Sequence, residues 1–158
     1  MRKALRITCV ALLVGVGLWP GVGATAMYQL GLPQLSRGAE TIVLGTVTDQ
    51  MSAWNDLHTA IYTDVKVEVE EAIKGAVGPE VTFRITGGEV GEIGMRTSTD
   101  PTFRKGERVI VFLHTSGSTI QLFGQQQGKF TVSDGTVTQA GQVMPVPDFS
   151  AAIRAASQ

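Results

Sequence analysis

Between Ile61 and Glu70 the chain alternates without a break for ten residues. Ile61, Thr63, Val65, Val67 and Val69 fall on one side, and Tyr62, Asp64, Lys66, Glu68 and Glu70 on the other. A period of two sends successive side chains to opposite faces, so this stretch is a β-strand with one buried and one wet face. Such a strand needs partners to cover it. The chain is thereby committed to a sheet-based fold.

The partners are legible on both sides. Thr41 to Thr48 (TIVLGTVT) is rich in β-branched residues, with Gly45 marking a bend or bulge. Val81, Phe83 and Ile85 alternate with Thr82, Arg84 and Thr86 in a third strand. Arg108 to His114 is apolar on both faces, as a buried central strand would be. Ser116-Gly117-Ser118 reads as a hairpin turn into Ile120–Phe123. Asp134-Gly135 gives a type I′ turn joining 130–132 to 136–138.

Short helices flank the strands. One spans Leu32 to Ala39, with Pro33 in its first turn and Gly38 near its end. The other carries Phe149, Ala152 and Ile153 and is capped by Asp148 or Ser150. The expected fold is all-β: a small antiparallel OB-like barrel with short N- and C-terminal helices. An open sandwich of the same strands is the alternative.

The first twenty-six residues read as an export signal. Arg2, Lys3 and Arg6 precede an apolar run from Val10 to Leu18, and Ala24-Thr25-Ala26 supplies small residues at a cleavage site. The run is too short to span a bilayer. The expectation is one β-barrel domain over 27–158, with a core at about 40–138 and a C-terminal tail at 139–158, placed in the periplasm or outside the cell. It would have no transmembrane anchor.

Composition narrows the function classes. Three of thirteen basic residues leave with the signal and all fourteen acidic ones stay, so ten face fourteen and the net charge is −4 with histidines neutral. That balance, with no basic stripe, argues against nucleic acid as a partner. Cys9 lies inside the signal, where Arg6-Ile7-Thr8 lacks the small residues of a lipobox. The exported domain would then hold together without disulfides.

Several short motifs recur together in a group of uncharacterised exported bacterial proteins, which this chain resembles. They are Gly45-Thr46-Val47, Tyr62-Thr63-Asp64-Val65, Lys74-Gly75, the run from Gly87 to Gly94, Pro101 to Glu107, and Gly128-Lys129-Phe130. The resemblance covers roughly residues 35 to 132. The strand layout of that group is distantly similar to the OB-like domain of tissue inhibitors of metalloproteinases and netrins. Those inhibitors set an N-terminal cysteine on a catalytic zinc. Here the expected terminus is Met27 and no cysteine follows the signal, so the resemblance does not carry that mechanism across.

No catalytic constellation is visible. The spacing of Gly88, Gly91 and Gly94 is neither a dinucleotide fingerprint nor a phosphate loop. It fits a structured loop whose glycines take positive φ, or a partner-binding loop with Glu89, Glu92 and Arg96 exposed. His58 and His114 lack a second ligand at metal spacing, so no metal and no cofactor is expected. Ser116 and Ser118 beside His114 do not form a nucleophile elbow. Glu68, Glu70 and Glu71 read as surface charge.

Two loops remain, Ala53 to Ala60 and Gly87 to Lys105, both long for simple turns. They carry the candidate partner-binding residues: Trp54, Asp56, Glu89, Glu92 and Arg96. Trp54 serves as a recognition aromatic or packs over the barrel end. In an OB-like barrel the ligand face crosses the second and third strands and their bordering loops. The expected function is a non-catalytic binding module for an exported protein or envelope component. An inhibitor or chaperone of an exported protease is the alternative.

Overall fold

A computed structural model describes residues 29–139 and 141–158. The export signal read over residues 1–26, with Cys9, lies outside the described residues. Among the described residues helix α1 (Leu32–Gly38) comes first, followed by two long strands, β1 (Thr41–Trp54) and β2 (Ile61–Lys74). Next come β3 (Glu80–Thr86) and a small hairpin, β4 (Gly88–Val90) and β5 (Ile93–Met95). β6 (Arg108–Ser116) and β7 (Thr119–Leu122) lead through a 3₁₀ turn at Gln125–Gly128. β8 (Lys129–Ser133), β9 (Thr136–Gln139), β10 (Gln142–Pro145) and helix α2 (Val146–Ala156) complete the fold.

The fold is mostly β, and its main sheet closes into a ring. Hydrogen bonding passes from β1 to β2, β3, β7 and β6 and returns from β6 to β1. All these pairings are antiparallel except β3 with β7, which meet in parallel at Arg84 and Gln121. On the far edge of β6, β8 continues the sheet to β9 and β10. β6 is thus covered along both edges, as its apolar run requires.

Two cores share these strands. Val43 and Val47 of β1, Val65 and Val67 of β2, Phe83 of β3 and Val111 of β6 pack in one cluster. Ile42, Leu44, Ile110 and Phe112 point the other way, where Leu35 of α1 and Phe149 and Ile153 of α2 cover them. Alternation along β1 and β6 therefore splits one apolar sequence between two buried layers, which is why neither strand shows a polar face. Lys74 fastens α1 by donating to the carbonyls of Ser36 at 2.7 Å and Ala39 at 2.6 Å, groups a helix end leaves without partners.

Several boundaries differ from the sequence reading. β1 runs on to Trp54 because β2 offers a matching partner as far as Ile61. The long loop at Ala53–Ala60 thus shrinks to a tight turn. Within the 87–105 stretch, β4 and β5 form a separate two-stranded sheet. Residues assigned to a tail contribute β10 and α2, with Phe149 and Ile153 fully buried. α2 starts at Val146 after Pro145, so Asp148 falls in its first turn and Ser150 within it, and neither caps it. Gly45 does sit at a register shift, and a Cβ there would lie 2.2 Å from the Glu68 carbonyl oxygen.

Candidate functional site

The outer parts of β1 and β2 form an arm in which β1 is the open edge, since β3 pairs with the other side of β2 from Tyr62 to Glu68. β6 pairs with β1 only over Thr41–Thr46. Beyond that point the arm closes at a turn built on Asn55. Its backbone N–H donates to Ala60 O at 2.8 Å, and its side-chain Oδ1 accepts from the amides of Thr59 and Ala60 at 2.8 and 3.1 Å. A side chain able to satisfy two turn amides is what such a tip needs. Trp54 stacks on His58 with ring centroids 6.1 Å apart. Asp56 lies exposed in the turn beside Leu57, which is 80% exposed.

A hydroxyl relay draws the second loop to this arm. Thr63 donates to Gly87 O at 2.7 Å, so Ser52, 2.8 Å from Thr63 Oγ1, is the donor in that pair. The Gly87 amide bonds to Ile61 O at 2.8 Å. Gly88 then crosses so close that a Cβ would fall 2.3 Å from Thr63 Oγ1 and 2.5 Å from Ser52 Oγ. Its φ of +138° is also one that side chains avoid. Here the glycine pair is a packing requirement.

The end of the same loop is clamped as firmly. Phe103 is buried edge-on to Phe83, with centroids 5.4 Å apart. Lys129 lies 4.5 Å over the Phe103 ring, donates to Thr102 O, and pairs with Glu107 at 2.7 Å. Burial acts against the charge on Glu107. The bonds from Lys129 and Thr131 outweigh it and hold the carboxyl below its ordinary range. Gln50 of the arm reaches across to Phe103 O at 3.1 Å.

Between arm and loop lies a cavity of about 190 Å³, walled by Gln50, Ser52, Thr63, Glu89, Arg96 and Asp100 among others. Glu89 and Arg96 face each other at 3.7 Å, with side chains 71% and 63% exposed. Asp100 accepts the Thr97 amide at 2.6 Å. Of the residues singled out in the sequence, Glu89 and Arg96 line this cavity. Trp54 and Asp56 stand at the neighbouring arm tip, and Glu92 is exposed in the turn between β4 and β5. Sequence reasoning missed Gln50, Thr63 and Asp100, which meet only through tertiary register. It also missed exposed Met51, Leu57 and Ile93, whose apolar character in polar stretches was a usable signal.

The outer face of β2 and β3, expected to receive a ligand, is occupied by ion pairs. Asp64 accepts from Arg84 Nε and Nη2 at 2.7 and 2.8 Å, Lys66 pairs with Glu80 at 2.9 Å, and Glu70 of β2 holds Arg108 of β6 at 2.6 Å. The bonds from Arg84 and Arg108 lower the Asp64 and Glu70 pKa values. Among the described residues no group of three or more His, Cys, Asp or Glu side chains could hold a metal ion. His114 packs edge-on to Phe123 at 5.6 Å, while Ser116 and Ser118 are exposed. No helix among the described residues is long and apolar enough to cross a membrane. In comparisons with known proteins, no family model, curated protein or solved structure matches the chain.

Proposed function

We propose that the ring is a small OB-like barrel and that the chain is an exported, non-catalytic binding module for a protein or an envelope component. The ring order, closed by one parallel contact between β3 and β7, supports the barrel. One observation carries the function: β1 and the loop after β3 enclose a cavity that brings Gln50, Ser52, Thr63, Glu89, Arg96 and Asp100 together, and the two bordering hairpins carry the exposed side chains of Met51, Leu57 and Ile93. A cavity of convergent polar groups, with exposed apolar side chains on the elements that border it, marks a recognition surface. The short motifs shared with exported bacterial proteins support the same placement outside the cytoplasm.

The test is capture of a partner from an envelope extract by the chain and by Trp54→Ala and Glu89→Ala variants. Both variants lose capture while the melting temperature stays within a few degrees. Undiminished capture by both contradicts the reading. An inhibitor or chaperone of an exported protease is a second reading, drawn from the ring layout alone. It requires a contact other than an N-terminal cysteine, and the arm tip would supply it.

A further inference from the structure

The outer five residues of β1 offer backbone as well as side chains. The Asn55–Ala60 bond sets the antiparallel alternation, so Ala53 and Met51 bond toward β2 while Trp54, Ser52 and Gln50 turn their N–H and C=O groups away. The same phase is reached from below. On that side Val47 accepts from Gly106 N–H and donates to Glu107 O, and the extra residue at Thr48 makes Gln50 the next in line. Among the described residues no strand pairs with β1 on this side beyond Thr46. The unpaired edge runs along the cavity, to which Gln50 and Ser52 contribute walls.

We propose that this edge binds an extended, lysine- or arginine-bearing peptide segment of a partner protein by strand addition, with a basic side chain entering the cavity toward Glu89 and Asp100. The inference rests on the binding-module reading and specifies its partner. In strand addition, main-chain bonds give affinity and an adjoining pocket gives specificity. Charge selects the basic partner: of the charged residues that line the cavity, Glu89 and Asp100 are acidic and Arg96 alone is basic. Native edges are usually blunted by charge, proline or a bulge, and none of these falls between Gln50 and Trp54.

A second copy of the chain fits poorly. Two-fold pairing about Ser52 would bring the copy's Asn55–Ala60 turn alongside Val47, where Gly106 and Glu107 already bond. A single extended segment that leaves the edge before Val47 meets no such obstacle.

The probe is the capped peptide acetyl-Thr-Lys-Val-Lys-Val-Lys-Thr-amide, added to the isotope-labelled chain and followed by amide hydrogen exchange and titration. Exchange slows at Gln50, Ser52 and Trp54, while Met51 and Ala53, already bonded to β2, do not change. Replacing the lysines with glutamates weakens binding about tenfold or more, and Arg96→Gln tightens the lysine peptide. Two further peptides carry N-methyl groups on alternate residues, in the two possible phases. One phase loses about tenfold and the other binds as before.

Equal binding of the lysine and glutamate peptides, no slowing at the three amides, or indifference to N-methylation in both phases overturns the proposal. Protection of the same amides by rising protein concentration alone would assign the edge to a second copy, and also overturns it. Ser52→Pro separates this inference from the one beneath it. If Trp54→Ala abolishes capture from an envelope extract and a stably folded Ser52→Pro does not, the module reading stands and strand addition falls. If Trp54→Ala, Glu89→Ala and Ser52→Pro all leave capture unchanged, both fall.

Discussion

One strand shows two kinds of surface. From Thr41 to Val47, β1 pairs with β2 on one edge and with β6 on the other, and five of its seven residues are buried. From Thr48 to Trp54 it keeps β2 but has no second partner, and no residue is buried. The change comes at Val47, where Gly106 and Glu107 take the edge that β6 has left and an extra residue at Thr48 alters the phase. The inner half supplies the fold with stability. The outer half buries no residue, and there the unpaired edge and the cavity wall made by Gln50 and Ser52 are found together.

Substitutions in the two halves should therefore differ in kind. The largest effect belongs to Gly45→Val. Its Cβ would meet the Glu68 carbonyl oxygen at 2.2 Å and Val67 Cγ1 at 2.6 Å, so two paired backbones would have to separate. No cooperative unfolding transition is expected, and a normal one would show that β1 and β2 can part there at little cost. Ile42→Ala, at a side chain fully shielded from water, should cost about 2–5 kcal/mol in urea unfolding. Its outer-half counterpart Met51→Ala, at 69% exposure, should stay within about 0.5 kcal/mol. Equal losses at Ile42 and Met51 would dissolve the distinction between the halves.

Glu107 sharpens the comparison, because its segment ends the inner half. Its pKa lies below the ordinary 4.5 in the folded chain. The stability it contributes is therefore complete above about pH 4.5 and is withdrawn as pH falls through the depressed folded value. Glu107→Gln should cost about 1–3 kcal/mol at pH 7, since Lys129 loses its carboxylate partner in a largely enclosed position. The gap between variant and parent should narrow as unfolding is repeated at falling pH below 4.5. A gap independent of pH would mean that the carboxylate's charge is not what holds this segment.

The inner half was legible in the sequence and the outer half was not, for a physical reason. Thr41–Val47 and Ile61–Val67 are buried on at least one face, and burial imprints an apolar pattern. Asp49 to Trp54 buries no residue, so nothing in its residues had to alternate. Its strand character comes from the register of β2. The β4–β5 hairpin hid for a related reason, its strands being three residues long and glycine-bearing. Trp54, Glu89 and Arg96 stood out as side chains suited to contact, and the fold carries all three to one end. Thr63 gave no warning. It occupied a core position in the alternating pattern, and its hydroxyl found a role only once Gly87 crossed above it. The ion pairs on the outer face of β2 were equally hidden, because their partners come from β3 and β6.

Native-state amide hydrogen exchange along β1 reads the division between its two halves residue by residue. Strong protection is expected from Ile42 to Val47, followed by an alternating pattern: Met51 and Ala53 protected through β2, and Gln50, Ser52 and Trp54 exchanging quickly at the open edge. Uniform protection through Trp54 in the isolated chain, or fast exchange already at Val43 and Val47, would contradict it.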